Sequence, residues 1–248
     1  MVVHLTAWLF LFAMEALAVA GQRQPAEQIV ITPSAPQQLD SDVSKVQNEL
    51  EKAEIFPTVI DKFLPSFLLD AEWPSGEHAE LGNTVKVDDV QDEPTITVRP
   101  SHSSSSSPSD EKRSGVTYTI TITDPDAPSR DNPEWSEFCH FIATGVDISS
   151  SSSPSESTTT TTTLRLSSLK DIIPYKPPGP PPKTGKHRYV FLLFAPANGT
   201  TDRLHLSKPD DRKHWGTGKA RHGVRDWAAD NGLKPVAANF IYAQNEEQ

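Results

Sequence analysis

Cysteine is almost missing from this chain. Cys139 is the only one in 248 residues, so no intrachain disulfide can form and the fold must rest on its apolar core. Positive charge is also short: 23 Lys and Arg against 33 Asp and Glu leave a net charge of −10. Affinity for a phosphate backbone comes from clustered Lys and Arg, so nucleic acid is not an expected partner. Catalytic signatures are lacking too. No two histidines stand at HExxH spacing, and there is no GxSxG elbow. Gly216-Thr-Gly218-Lys219 lacks the first glycine of a phosphate loop, and Ala220 replaces its Ser/Thr. These gaps point to a protein that is not an enzyme and needs no metal or cofactor. Because neighbours on a strand face opposite ways, Cys139 and His140 do not make a catalytic dyad, and a small buried thiol is expected.

What is present begins with an apolar leader. Leu5 to Ala20 is broken only by Thr6 and Glu15, too short a run to span a bilayer. Ala18-Val-Ala20 before Gly21 fits a signal-peptidase site, so residues 1–20 are expected to be a signal peptide and the product secreted. The sequon Asn198-Gly-Thr200 would then carry glycan. A cytoplasmic alternative stays open: no Lys or Arg precedes Arg23, and initiation at Met14 would remove most of the leader. Residues 21–39, rich in Gln and Pro, read as a flexible arm.

A β-rich α+β domain is expected from 40 to 248. Val43, Val46, Leu50, Ile55, Val59, Ile60 and Phe63 recur at near-helical intervals, and Pro57 is expected to split them into two short helices. Strands are predicted at Thr84–Val87, Thr95–Val98, Val116–Thr123, Phe138–Val146, Tyr189–Ala195 and Val236–Gln244. VFLLF at 190–194, apolar on both faces, should be central. A short helix over His222–Asn231 should end at Gly232. Trp135, Phe138, Val190, Leu192, Trp215, Trp227 and Phe240 are predicted to be buried. Two Ser/Thr tracts, 101–114 and 149–163, hold too little apolar surface to offset chain entropy of about 1–2 kcal/mol per residue, and are expected to be disordered insertions. Lys208, Arg212, Lys213, Lys219, Arg221 and Arg225 gather late in the chain, either as a solvated face or as an electropositive rim.

Polar groups suited to one site are concentrated in TDPDAPSR, WSEFCHF, PPGPPPKTGKHRYVFLL and HWGTG. Pro125 and Pro128 stiffen the stretch that carries Asp124 and Asp126. His140 lies in a strand and His187 where a loop meets one. Five prolines around Gly179 exclude helix and mid-sheet over Lys176–Lys183, so this stretch could wall a cleft, with Gly179 allowing close approach. From the residues alone, the two aspartates could cap turns through local bonds or hold two histidines in place.

Asp-Pro-Asp-Ala-Pro-Ser-Arg at 124–130 and Gly-Lys-His-Arg-Tyr-Val at 185–190, with Cys-His-Phe between them, resemble the two signatures of the phosphatidylethanolamine-binding protein family, also called the Raf kinase inhibitor family. WSEFCH, HRYVFLLF and the tail from His214 most resemble its fungal carboxypeptidase Y inhibitors. The resemblance implies a central β-sheet, a smaller second sheet and peripheral helices. It also implies a small cavity for phosphate-like anions, lined by Asp124, Asp126, Pro128, His140, Gly179, Pro180, His187 and Tyr189. The implied partners are a serine carboxypeptidase and an anionic phospholipid headgroup or phosphate. The alternative is a lipid- or phosphate-binding signalling regulator that touches no protease. A monomer is expected, in a secreted or vacuolar location. Inhibitors of that branch engage the peptidase partly through their own N-terminus, where this chain carries an unrelated leader. Carboxylates repel phosphate, so His140 and His187 would donate to the anion and binding would weaken as pH rises through about 6.5.

Overall fold

Alternation along the strands sets the architecture. The structure, a computed structural model, describes residues 35–101, 115–148 and 161–248. The expected signal peptide, most of the expected arm and most of both Ser/Thr tracts lie outside the described residues. Strand β4 (Thr117–Asp124) puts Tyr118, Ile120 and Ile122 on one face and Thr119, Thr121 and Thr123 on the other, all buried. Its neighbours are β5 (Phe138–Asp147) and β8 (His187–Pro196). With β2 (Thr84–Lys86), β7 (Lys170–Ile173) and β9 (Leu233–Gln244) they form a six-stranded sheet, ordered β2-β9-β8-β4-β5-β7. β2 runs parallel to β9 and the other pairs are antiparallel. The second sheet has three strands: β1 (Phe67–Glu72), β3 (Thr95–Pro100) and β6 (Thr162–Arg165), in the order β1-β3-β6.

Two apolar clusters follow from the two faces of the large sheet. One, where the sheets meet, gathers Phe67, Trp73, Ile96, Ile120, Phe141 and Phe191. The other gathers Val46, Leu50, Ile55, Leu192, Trp215 and Trp227, which brings together helix α1 (Ala35–Lys52), α2 (Val224–Asp230) and the HWGTG turn. Every residue of β8 is buried, which its two-sided apolar run demanded. At about 1.5–3 kcal/mol for each large aliphatic or aromatic side chain, these faces are the main favourable term.

The structure amends several expectations. The apolar stripe packs on the domain, buried except for half-buried Phe63, but it forms one helix and then turns. Glu54 at φ 55° leaves the helical region, and Val59 and Ile60 donate backwards to the Ile55 carbonyl. That helix begins at Ala35, inside the stretch expected to be an arm. Strands β1, β6 and β7 were not anticipated. Ser101 belongs to the ordered body, with its N–H on the Ser66 carbonyl and its hydroxyl on that of Pro65. Thr162 and Thr163 lie in β6 and pair with β3. The tract boundaries therefore sit inside the expected ones. Trp135 and Phe138 are only half-buried, because they stand at the sheet's end, where Lys213 Nζ lies 4.1 Å over the Trp135 ring. The other five predicted core residues are buried.

Candidate functional site

β8, β4 and β5 are neighbours, so His187 and Tyr189, Asp124, and His140 converge at one end of the sheet. His187 and Tyr189 are two apart on β8 and share a face, with rings stacked at 6.5 Å and 18°. The His140 ring meets Tyr189 edge-on at 5.1 Å, and Phe138 lies 5.0 Å beyond it. All four polar residues are nearly closed off: Asp124 is 3%, His140 4%, His187 1% and Tyr189 1% exposed.

Hydrogen bonds decide what each group has left to offer. Asp124 Oδ2 takes His187 Nδ1 at 2.8 Å, and Oδ1 accepts the Asp126 N–H at 2.7 Å. The Thr184 hydroxyl donates to the Pro181 carbonyl at 2.7 Å, leaving its oxygen to His187 Nε2 at 3.0 Å. Both ring nitrogens of His187 are thus held by protein, and this histidine orients the site without facing a ligand. His140 differs. Its Nδ1 is 2.7 Å from the Lys176 carbonyl, which can only accept, so the proton sits on Nδ1 and Nε2 keeps its lone pair. Nε2 takes no protein hydrogen bond among the described residues. The Tyr189 hydroxyl accepts the Gly179 N–H at 3.2 Å and still has its own proton to give. Burial pushes the phenol pKa up, with the Asp124 charge adding to it.

Asp126 does something else. Its carboxylate takes the Arg188 guanidinium at 2.6 and 2.9 Å and the Arg188 N–H at 2.8 Å. Arg188 also donates to the carbonyls of Ala53 and Glu54, tying the DPDAP stretch and β8 to the end of α1. The structure therefore separates the two aspartates, and only Asp124 holds an imidazole. Pro128 is half-buried and Pro180 buried, with the Pro180 carbonyl accepting from Asn245 at 3.3 Å. Gly179 is exposed, and a Cβ there would meet nothing within 4 Å. Its contribution is its N–H, and the expected close approach is absent.

Groups that sequence reasoning missed hold the walls. Arg212 donates to the Cys139, His140 and Pro174 carbonyls, and the Lys176 N–H returns to His140, which pins the proline-rich stretch to β5. Only the arginine had a signal, as a basic residue within the late cluster; backbone carbonyls have none. Glu137 is buried and receives the Thr123 hydroxyl at 3.0 Å, while Trp215 Nε1 donates to that same hydroxyl. Burial, against bonds from Thr123 and Val224, pushes the Glu137 pKa up to about 8. Gly223 is required beside it, because a Cβ would come within 2.6 Å of the Glu137 side chain. Burial also lowers His140 to about 4, so it is neutral at neutral pH and cannot lose an anion near 6.5 as expected from sequence. Cys139 is fully buried on the face away from the rings, and burial pushes its thiol up. A cavity of about 400 Å³ lies elsewhere, beside α1, with Asp42, Asp70, Glu80 and Arg99 in its wall.

The family model for phosphatidylethanolamine-binding proteins matches residues 75–241, which include every residue of this ring cluster. The chain belongs to that family. It is 32% identical over 191 residues to the carboxypeptidase Y inhibitor of Saccharomyces cerevisiae, across 74% of this chain and 87% of that protein. The solved carboxypeptidase Y inhibitor, complexed with its cognate proteinase, superposes with a TM-score of 0.69 at 29% identity, covering 85% of this chain and all of that one. The phosphatidylethanolamine-binding protein of Plasmodium vivax superposes at 0.57 with 19% identity, a likeness of fold. The β-rich α+β fold with two sheets and peripheral helices is therefore the family's.

Proposed function

We propose that this protein inhibits a serine carboxypeptidase of the carboxypeptidase Y kind and catalyses nothing itself. One observation carries the reading: the likeness to the carboxypeptidase Y inhibitor runs over nearly the whole of that protein, and over all of the chain solved with its proteinase. Titration of the protein against a serine carboxypeptidase tests it. Loss of peptidase activity at stoichiometric to micromolar protein is expected, and undiminished activity there overturns it.

A second reading has its own support. The ring cluster leaves a hydroxyl donor on Tyr189, where the Gly179 N–H holds the oxygen, and a lone pair on His140 Nε2, where the Lys176 carbonyl holds the other nitrogen. Such a site suits a phosphate-like group, free or on a lipid headgroup. A headgroup regulator without protease inhibition would use the same residues, and phosphate binding by a chain inert toward the peptidase would select it. We place the product in a secreted or vacuolar compartment, on the leader's composition and on Asn198, which is exposed in a turn. N-terminal sequencing should find Gly21; Met14 at that position would make the protein cytoplasmic instead.

A further inference from the structure

Proton bookkeeping at the ring cluster narrows what can occupy it. We infer that the occupant brings its own proton: a singly protonated phosphate whose P–O–H donates to Nε2 of His140 and whose second oxygen accepts from the Tyr189 hydroxyl. The inference rests on the phosphate-like occupant proposed above and specifies its charge state. The Lys176 carbonyl holds the only proton of neutral His140 on the far nitrogen, so Nε2 presents a lone pair. An oxygen without hydrogen would face that lone pair with its own. His187 cannot supply a second donor, since Asp124 and Thr184 take both of its nitrogens. A ligand that is unprotonated in solution must therefore take up a proton as it binds.

Charged and titratable groups around His140 come from every wall: Asp124 from β4, Tyr189 and His187 from β8, Lys176 from the proline-rich stretch and Arg212 from the segment beyond it, while Glu137, just before β5, turns to Thr123 and Val224 on the other face. The Asp124 charge favours a proton on the ring, and Arg212 and Lys176 oppose one. Burial outweighs all of these and keeps the ring neutral. Phosphate monoesters hold their second proton up to about pH 6, within reach of a near-neutral site. A phosphodiester has no such proton and can bind well only when His140 itself is charged.

Calorimetric titration of the whole protein tests this with O-phosphoethanolamine, a monoester, and glycerophosphoethanolamine, a diester. Each is measured from pH 5 to 8 in buffers of different ionisation enthalpy. For the monoester, close to one proton should be taken up per ligand at the alkaline end. Its affinity should rise about tenfold per pH unit on acidification and level off below about pH 6. The diester should bind more weakly near neutrality and keep gaining affinity to the lowest pH reached. Replacing His140 by Gln, which places an amide donor near Nε2, should remove the proton uptake and narrow the gap between the two ligands. Monoester binding with no proton uptake would overturn the inference and leave the phosphate reading standing. If neither ligand binds at any pH, both fail together. The wild-type buffer comparison decides the matter even if the His140→Gln variant does not fold.

Discussion

Successive residues of β8 face two unlike surroundings. Arg188 points to one side, where every donor it uses is matched: Asp126 takes the fork and the carbonyls of Ala53 and Glu54 take the rest. His187 and Tyr189 point to the other side, where the network is equally dense but, among the described residues, leaves two groups unmatched, Nε2 of His140 and the Tyr189 hydroxyl proton. A fully satisfied polar cluster rigidifies a fold, while a cluster with unmatched groups is where the proposed phosphate would sit. Asp124 and Asp126, two residues apart in one motif, are divided between these tasks. Chemistry alone does not separate them; the alternation of β8 does.

Stripping the matched side should have the largest effect. Asp126→Ala leaves the Arg188 guanidinium buried without its carboxylate and should cost about 3–5 kcal/mol in urea unfolding. A loss under about 1 kcal/mol would mean that the two carbonyls suffice, and the two sides would not differ as described.

Glu137, behind the ring cluster, provides a pH test of medium size. Its folded pKa is raised from 4.5 to about 8, so the folded state binds more protons across that window and stability falls as pH rises through it. The slope is at most about 1.4 kcal/mol per pH unit. Glu137→Gln should flatten it and raise the melting temperature at pH 8. His140 works oppositely: its pKa is lowered to about 4, so stability is lost as pH falls from about 6.5 toward that value. An unchanged pH profile in Glu137→Gln would remove the buried acid from the account.

On the ligand side, effects on stability should be smaller and those on binding larger. Tyr189→Phe removes a donor to a charged acceptor and should weaken phosphate binding by about 1.5–3 kcal/mol. It also orphans the Gly179 N–H, an exposed residue, so unfolding should shift by about 1 kcal/mol or less. A variant that loses stability but not affinity would make Tyr189 a core residue with no share in binding.

Much of this architecture was legible in the chain. VFLLF reads as a central strand because no polar residue interrupts either face, and Tyr118, Ile120 and Ile122 alternate cleanly. Strands β6 and β7 were missed because Thr-Thr-Leu-Arg and Lys-Asp-Ile-Ile are edge strands whose outer residues carry no apolar pattern. At the site, three segments, TDPDAPSR, WSEFCHF and the stretch from GKHRYV, supplied Asp124, His140, and His187 with Tyr189. Asp126 was misplaced because its partner, Arg188, lies on the opposite face from the histidine beside it. That much could have been inferred, since an arginine inside an apolar strand must find a carboxylate. The Lys176 and Pro181 carbonyls, which decide where the protons sit, leave no trace in a side-chain sequence.

His140 is neutral with an open Nε2, and His187 is held at both nitrogens. Nitrogen-15 NMR of the imidazoles reads this directly. His140 should show a proton on Nδ1 alone, with an Nε2 shift typical of a bare lone pair, unchanged from pH 8 down to about 5. A His140 that charges near pH 6.5, or carries its proton on Nε2, would leave no open lone pair at this site.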